Sequence, residues 1–234
     1  ASGGCTGIEE FTFGDSAGAL NLIGALKILG NTFNPSIGGI VLMDSLKSLT
    51  GALLVEQYED ENNTLISNVG LKELTFPILE SVHSLSLANN PDLETVNLSA
   101  LQTTGGDLEI SSNASATGAN GIKNLTIGSE LQVSGDFLIQ DNIFDPALSE
   151  SIGLVGTTGS LEVSANTNLS SLTFAELLNV NRGLIVSNNS SLGTLHFPEL
   201  TNVGNGSSGG SLLFVVPSSD TGAANLSMPA LVSV

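Results

Sequence analysis

The chain has almost no basic residues, no tryptophan and a single cysteine, and each shortage narrows what it can be. Five Lys and Arg stand against 23 Asp and Glu, a formal net charge of −18. Nucleic-acid binding needs a basic footprint that five scattered cations do not make. An anionic membrane surface is disfavoured for the same reason. One cysteine, Cys5, excludes an internal disulfide. It is either a free thiol near a terminus or the partner of a cysteine on another chain or segment. No apolar run approaches the ~20 residues of a membrane-spanning helix. No signal-peptide pattern and no lipid-anchor signal stand in these residues, and a start at Ala1 without Met suggests a processed or trimmed product. Only 12% of the chain is charged and 4% aromatic, while 41% is hydrophobic. A core can form, but much of the surface must then be Ser, Thr, Asn and Gly, a habit of extracellular β-rich proteins.

What the sequence does contain is a repeat. Eight blocks share one shape: "GALKILGN" from Gly24, "GALLVEQY" from Gly51, "HSLSLANN" from His83, "GDLEISSN" from Gly106, "GDFLIQDN" from Gly135, "GSLEVSAN" from Gly159, "RGLIVSNN" from Arg182 and "GSLLFVVP" from Gly210. Their starts lie 23 to 32 residues apart, around the period of leucine-rich repeats. Within each block apolar and other residues alternate with period two, which predicts a short strand. A single such strand cannot bury its apolar side alone. Copies stacked about 4.8 Å apart form a parallel sheet and a continuous core. The predicted fold is therefore all-β, a right-handed parallel β-helix of about eight leucine-rich coils. Residues 24–234 form the solenoid and residues 1–23 an N-terminal cap, with a short helix over 14–23. Between the blocks a second shape recurs, as in "LKELTFPILESV" from Leu71 and "LGTLHFPELTNV" from Leu192. It predicts a second strand per coil, with proline tolerated at the strand end.

Two positions in the block carry special chemistry. Glycine precedes the first apolar residue by two places in six of the eight blocks, which predicts a corner needing φ > 0 or close backbone approach. Asparagine recurs five places after that apolar residue, at Asn31, Asn90, Asn113, Asn142, Asn166 and Asn189. Stacking places these amides above one another, where they can satisfy backbone groups left unpaired at the bend. Tyr58 and Pro217 occupy the same position in the other two blocks and are expected to break the ladder.

Nine Asn-x-Ser/Thr sequons favour a glycosylated secretory protein. Asn113 and Asn189 belong to the predicted ladder and cannot also carry sugar. The expected acceptors of N-linked glycans are Asn62, Asn97, Asn124, Asn168, Asn188, Asn205 and Asn225, with Asn188 preferred over Asn189.

The phrases "GSLEVSAN", "LTFPILESV" and "LHFPELTNV" resemble the receptor L-domain type of leucine-rich solenoid, and within it the fungal GPI-anchored cell-wall proteins with such repeats. The resemblance spans roughly residues 24 to 234. It implies a right-handed β-solenoid that is secreted, heavily glycosylated and associated with the cell wall or membrane, with no catalytic activity. The Ser/Thr-rich stalk of that family is not found in these residues.

No catalytic, cofactor-binding or metal residue is assigned. Glu109 and Glu162 both sit at the outward strand position, but two rungs apart, about 9.6 Å by strand spacing, with no Arg or Lys nearby. His83 and His196 lack companions at metal-ligand spacing. The acidic run "EQYEDENN" from Glu56 lacks the calcium-loop pattern and is expected to be an inserted solvated loop. The outward positions of the eight blocks are Lys27, Leu54, Ser86, Glu109, Leu138, Glu162, Ile185 and Leu213. Their four apolar members, Leu54, Leu138, Ile185 and Leu213, form a candidate partner face, unless a loop covers it. The functional expectation is an extracellular, glycosylated structural or adhesive protein of a cell surface or cell wall. Its alternatives are a module binding cell-wall polysaccharide or a surface protein, and a subunit assembling end to end through the solenoid ends.

Overall fold

The computed structural model describes residues 6–8, 10–12, 19–33, 39–114, 121–157, 159–204, 210–215 and 225–234. Among them there is no helix, and the strands stack in parallel into a β-solenoid of about seven turns. One antiparallel pair, Tyr58–Glu59 with Leu65–Ile66, interrupts the pattern.

Each coil has three faces. Face A is built by the eight repeat blocks. Its strands are Leu26–Leu29, the second halves of Leu46–Glu56 and Ser81–Ala88, then Leu108–Ser111, Phe137–Gln140, Leu161–Ser164, Gly183–Ser187 and Ser211–Val215. Eight strands on one face enclose about seven turns, which reconciles the expected number of coils with the structure. The register is that of the alternation. Leu26, Leu53, Leu85, Leu108, Phe137, Leu161, Leu184 and Leu212 are successive partners. All but the first and last of these are buried.

Face B carries the second repeated shape. It runs through Glu10–Thr12, Gly39–Leu42, Leu71–Thr75, Thr95–Leu98 and Asn124–Ile127 in one sheet, then Ser149–Ile152, Ser171–Phe174, Thr194–His196 and Asn225–Ser227 in a second. Its ends are β-turns that hold a leucine inward: the amide of Leu79 donates to the Phe76 carbonyl and that of Leu101 to Leu98. Pro77 stands second in its turn, where its fixed φ suits the geometry. Phe174 and Phe197 stack in the core beneath this corner, ring centres 5.2 Å apart.

Face C was not anticipated as a separate strand. It comprises Leu20–Leu22, the first halves of Leu46–Glu56 and Ser81–Ala88, then Thr103–Thr104, Leu131–Val133, Leu154–Thr157, Asn179–Val180 and Asn202–Val203. Most of the separate face C strands are two or three residues long, too short to carry a readable period. In the two early coils faces C and A are one bent strand, with a register shift between Val82 and Ser84.

One further expectation changes. The short helix over 14–23 is contradicted at its end, where Leu20–Leu22 is a strand paired with Leu46–Glu56; residues 13–18 lie outside the described residues. The segment read as a cap also supplies Thr6–Ile8 and Glu10–Thr12, both paired in parallel with later coils. At the C–A corner Gly51, Gly135, Gly159 and Gly210 act by close approach, whereas Gly24 has φ 120° and open space around it. An ideal Cβ on Gly159 would lie 2.0 Å from Asp136 Oδ1 and 2.6 Å from the Gly135 carbonyl oxygen, and one on Gly135 2.0 Å from Asp107 Oδ1. Those carboxylates form a short ladder of their own, Asp107 accepting from the Asp136 amide and Asp136 from the Ser160 amide.

Candidate functional site

The asparagine positions meet at the corner between faces A and B. Asn90 donates from both its backbone N and its Nδ2 to Asn113 Oδ1, each at 3.1 Å. Asn113 does the same to Asn142, Asn142 to Asn166 and Asn166 to Asn189. The second Nδ2 hydrogen of each reaches the preceding coil: Asn90 to the Val55 carbonyl, Asn113 to Leu87, Asn142 to Ile110, Asn166 to Ile139 and Asn189 to Val163, at 2.8–2.9 Å. Both carboxamide hydrogens and both oxygen lone pairs of the middle members are thus used. Among the described residues no buried side-chain polar atom lacks a partner.

The ladder does not break at the second rung. Asn68 takes the place that Tyr58 holds in the repeat. It accepts from the backbone N and Nδ2 of Asn31 and donates to Asn90 Oδ1 and the Ile28 carbonyl. The acidic run is not an open loop but a hairpin inserted just ahead of this corner, and the chain regains register after it. Pro217 lies outside the described residues. A signal for Asn68 was present: Asn68, Asn90, Asn166 and Asn189 each precede a buried leucine by three places (Leu71, Leu93, Leu169, Leu192).

A backbone device aims these side chains inward. The residue before the ladder asparagine has φ between 52° and 57° at Gly30, Asn89, Ser112, Asp141, Ala165 and Asn188. Left-handed backbone turns the chain sharply, so that this residue faces out and the next faces in. Gly, Asn and Asp accept that conformation readily; Ser112 and Ala165 hold it at a cost of about 1 kcal/mol each.

The outward positions of face A form one column in the order Lys27, Leu54, Ser86, Glu109, Leu138, Glu162, Ile185, Leu213. Leu54 is separated from Leu138 by Ser86 and Glu109, so the apolar stripe is not continuous. Leu138, Ile185 and Leu213 form its C-terminal part, with Glu162 between the first two. Leu54, Leu138 and Ile185 are half-buried and Leu213 is exposed. The carboxylates of Glu109 and Glu162 each accept from the serine two places on, Ser111 and Ser164, at 2.6 Å. They lie along their strands, two rungs apart.

On face B, Thr75, Asn97 and Thr126 share one outward column, as do Thr173, His196 and Ser227 in the second sheet. His83 is exposed and His196 half-buried. A shallow notch opens beside face C, lined by Glu130, Gln132, Val155, Glu176, Leu178 and Glu199. Beside it the turn at Gly153 is a single residue, against three and four in the neighbouring coils. Glu176 reaches across the gap to the Glu130 amide at 3.2 Å. Among the described residues no three His, Cys, Asp or Glu side chains are grouped as metal ligands, and no helix is long and apolar enough to cross a membrane.

The sequons fall in distinct places. Asn62 is exposed at the hairpin tip, Asn188 is exposed at the A–B corner and Asn168 is half-buried at that corner. Asn97 is half-buried and Asn124 exposed, both on face B. Asn113 and Asn189 are buried in the ladder. Asn205 lies outside the described residues, as does Cys5, and Asn225 is placed in a face B strand. Comparison with protein-family models, with curated proteins and with solved structures yields no match to this chain.

Proposed function

We propose that the chain is a non-catalytic, extracellular, glycosylated structural or adhesive protein of a cell surface or cell wall. The observation that carries this reading is the set of sequons open to solvent on a scaffold stitched from Asn31 to Asn189 by side-chain amides. A rod of stacked coils resists bending and presents regular faces without any moving part. A surface built of Ser, Thr, Asn and Gly with net charge −18 suits a crowded, hydrated extracellular layer. The resemblance of the repeat phrases to receptor L-domain solenoids of fungal cell-wall proteins points the same way. The test uses protein from its own cells. Peptide N-glycosidase treatment should raise its electrophoretic mobility, and a membrane-impermeant amine reagent should label it on intact cells. Unchanged mobility together with protection from the reagent would sink the proposal.

A second reading has one observation in its favour. Leu138, Ile185 and Leu213 align on face A, where a polysaccharide or protein ligand could lie along the column. Binding on a glycan array that L138D abolishes, without loss of thermal stability, would support it; binding that survives the substitution would remove face A from consideration.

A further inference from the structure

We infer that the N-linked glycans of the described residues stand on one side of the solenoid, face B and the A–B corner, and that within the overlapping pair Asn188 carries sugar and Asn189 does not. The inference rests on the secretory reading above and deepens it. Every sequon asparagine with a described, accessible side chain lies on that side. Asn62, Asn168 and Asn188 occupy the corner segments, and Asn97 and Asn124 stand outward on face B. The described strands of faces A and C contain no sequon; Asn205, in the connection from Asn202–Val203 to Ser211–Val215, lies outside the described residues.

The pair at 188 and 189 shows why position decides. In N-glycosylation the asparagine Nδ2 loses a proton and bonds to C1 of an oligosaccharide, whose bond to a lipid-linked diphosphate breaks. That nitrogen must then face solvent. Asn188 sits in left-handed backbone with φ 54° and is exposed. Asn189 is 3% exposed, its Nδ2 donates to the Val163 carbonyl at 2.9 Å, and its Oδ1 accepts both the amide and the Nδ2 of Asn166. A sugar there leaves no room for the rung beneath. Asn113 is closed in the same way, with its Nδ2 bonded to Leu87 and Asn142. Because transfer precedes folding, a chain modified at Asn189 cannot close its ladder and is not recovered folded. The described strands of faces A and C stay bare.

The two sequons can be removed separately without touching either asparagine. Ser190→Ala deletes the Asn188 sequon and keeps that of Asn189; Ser191→Ala does the reverse, and both serines are exposed. The full chain is directed into a eukaryotic secretory pathway by a heterologous leader, so that its acceptor sites are read out whatever its native location. The folded, secreted protein is mapped by glycopeptide mass spectrometry. Among the asparagines with described side chains, the expected map has sugar on Asn62, Asn97, Asn124, Asn168 and Asn188 and none on Asn113 or Asn189. S190A should lose one glycan and S191A none, both with the parent melting temperature. Sugar on Asn113 or Asn189, a bare Asn188, or loss of a glycan in S191A but not S190A would overturn the inference. The expected map from this expression, with native protein lacking all sugar, would instead strike only the secretory reading.

Discussion

Asn142 makes five hydrogen bonds from one side chain and its backbone N: two donated to Asn166 Oδ1, one to the Ile110 carbonyl, and two accepted from Asn113. Replacing it with alanine strands the Ile110 carbonyl, the Asn113 amide and one Asn113 Nδ2 hydrogen in a buried site. Each orphaned group costs about 1–3 kcal/mol, so Asn142→Ala should destabilise by about 3–5 kcal/mol, read as a fall in the urea midpoint. Asn142→Asp should be no better, because a carboxylate has no hydrogen to give Ile110 or Asn166. By contrast, Asn188→Asp, one residue outside the ladder, should leave stability nearly unchanged. The amide is conserved in type along the corner because it alone combines two donors and two acceptor lone pairs at a reach that spans one rung.

At the scale of the element, the hairpin and the glycine corner show what a strand alternation reveals and what it hides. Face A was legible because the pattern of Leu161 and Val163 recurs in the other blocks at the same two positions, with an outward residue between them that is polar or charged in four of the eight. Face C was not, since Asn179–Val180 and Asn202–Val203 are two residues long and carry no period. Asn68 was missed for a different reason: counting five places from Leu53 lands on Tyr58, and the eleven-residue detour from 57 to 67 displaces the ladder position without erasing it. The Gly159 corner was foreseen as needing glycine, but only the structure separates close approach from left-handed backbone. Gly159→Ala places a methyl against the Gly135 carbonyl and the Asp136 carboxylate, and should cost about 1–3 kcal/mol through overpacking, measured by thermal or urea unfolding. The hairpin carries a separate prediction. The Asp60 carboxylate accepts the backbone amides of Thr64 and Asn62 at 2.9 and 2.8 Å, and these bonds, Thr64 first, hold its pKa below the ordinary 3.8. A lowered folded pKa means that the contribution is present above pH 3.8 and is lost as pH falls through the folded value. Acidification should therefore lower the protection factors of the Asn62 and Thr64 amides, taken against the intrinsic rate at each pH, while the coils remain protected. Equal loss of protection in both would contradict a local role.

For the whole molecule, stacking makes stability a matter of neighbouring rungs. Seven asparagines from Asn31 to Asn189 form one unbroken path, six of them anticipated from the repeat and one recovered beyond an insertion. For partner and location the sequence offers only indirect signs, namely composition, sequons and an apolar column. What all of these share is the register that turns one side of the corner inward and the other out. Side-chain carboxamide hydrogen exchange, followed by NMR with residue-specific assignment, tests that register most directly. Stacked coils predict slow exchange of the NH2 protons of Asn90, Asn113, Asn142 and Asn166, against exchange within the dead time for Asn62 and Asn188. Fast exchange at all six would mean that no internal ladder exists and that the coils do not stack as described.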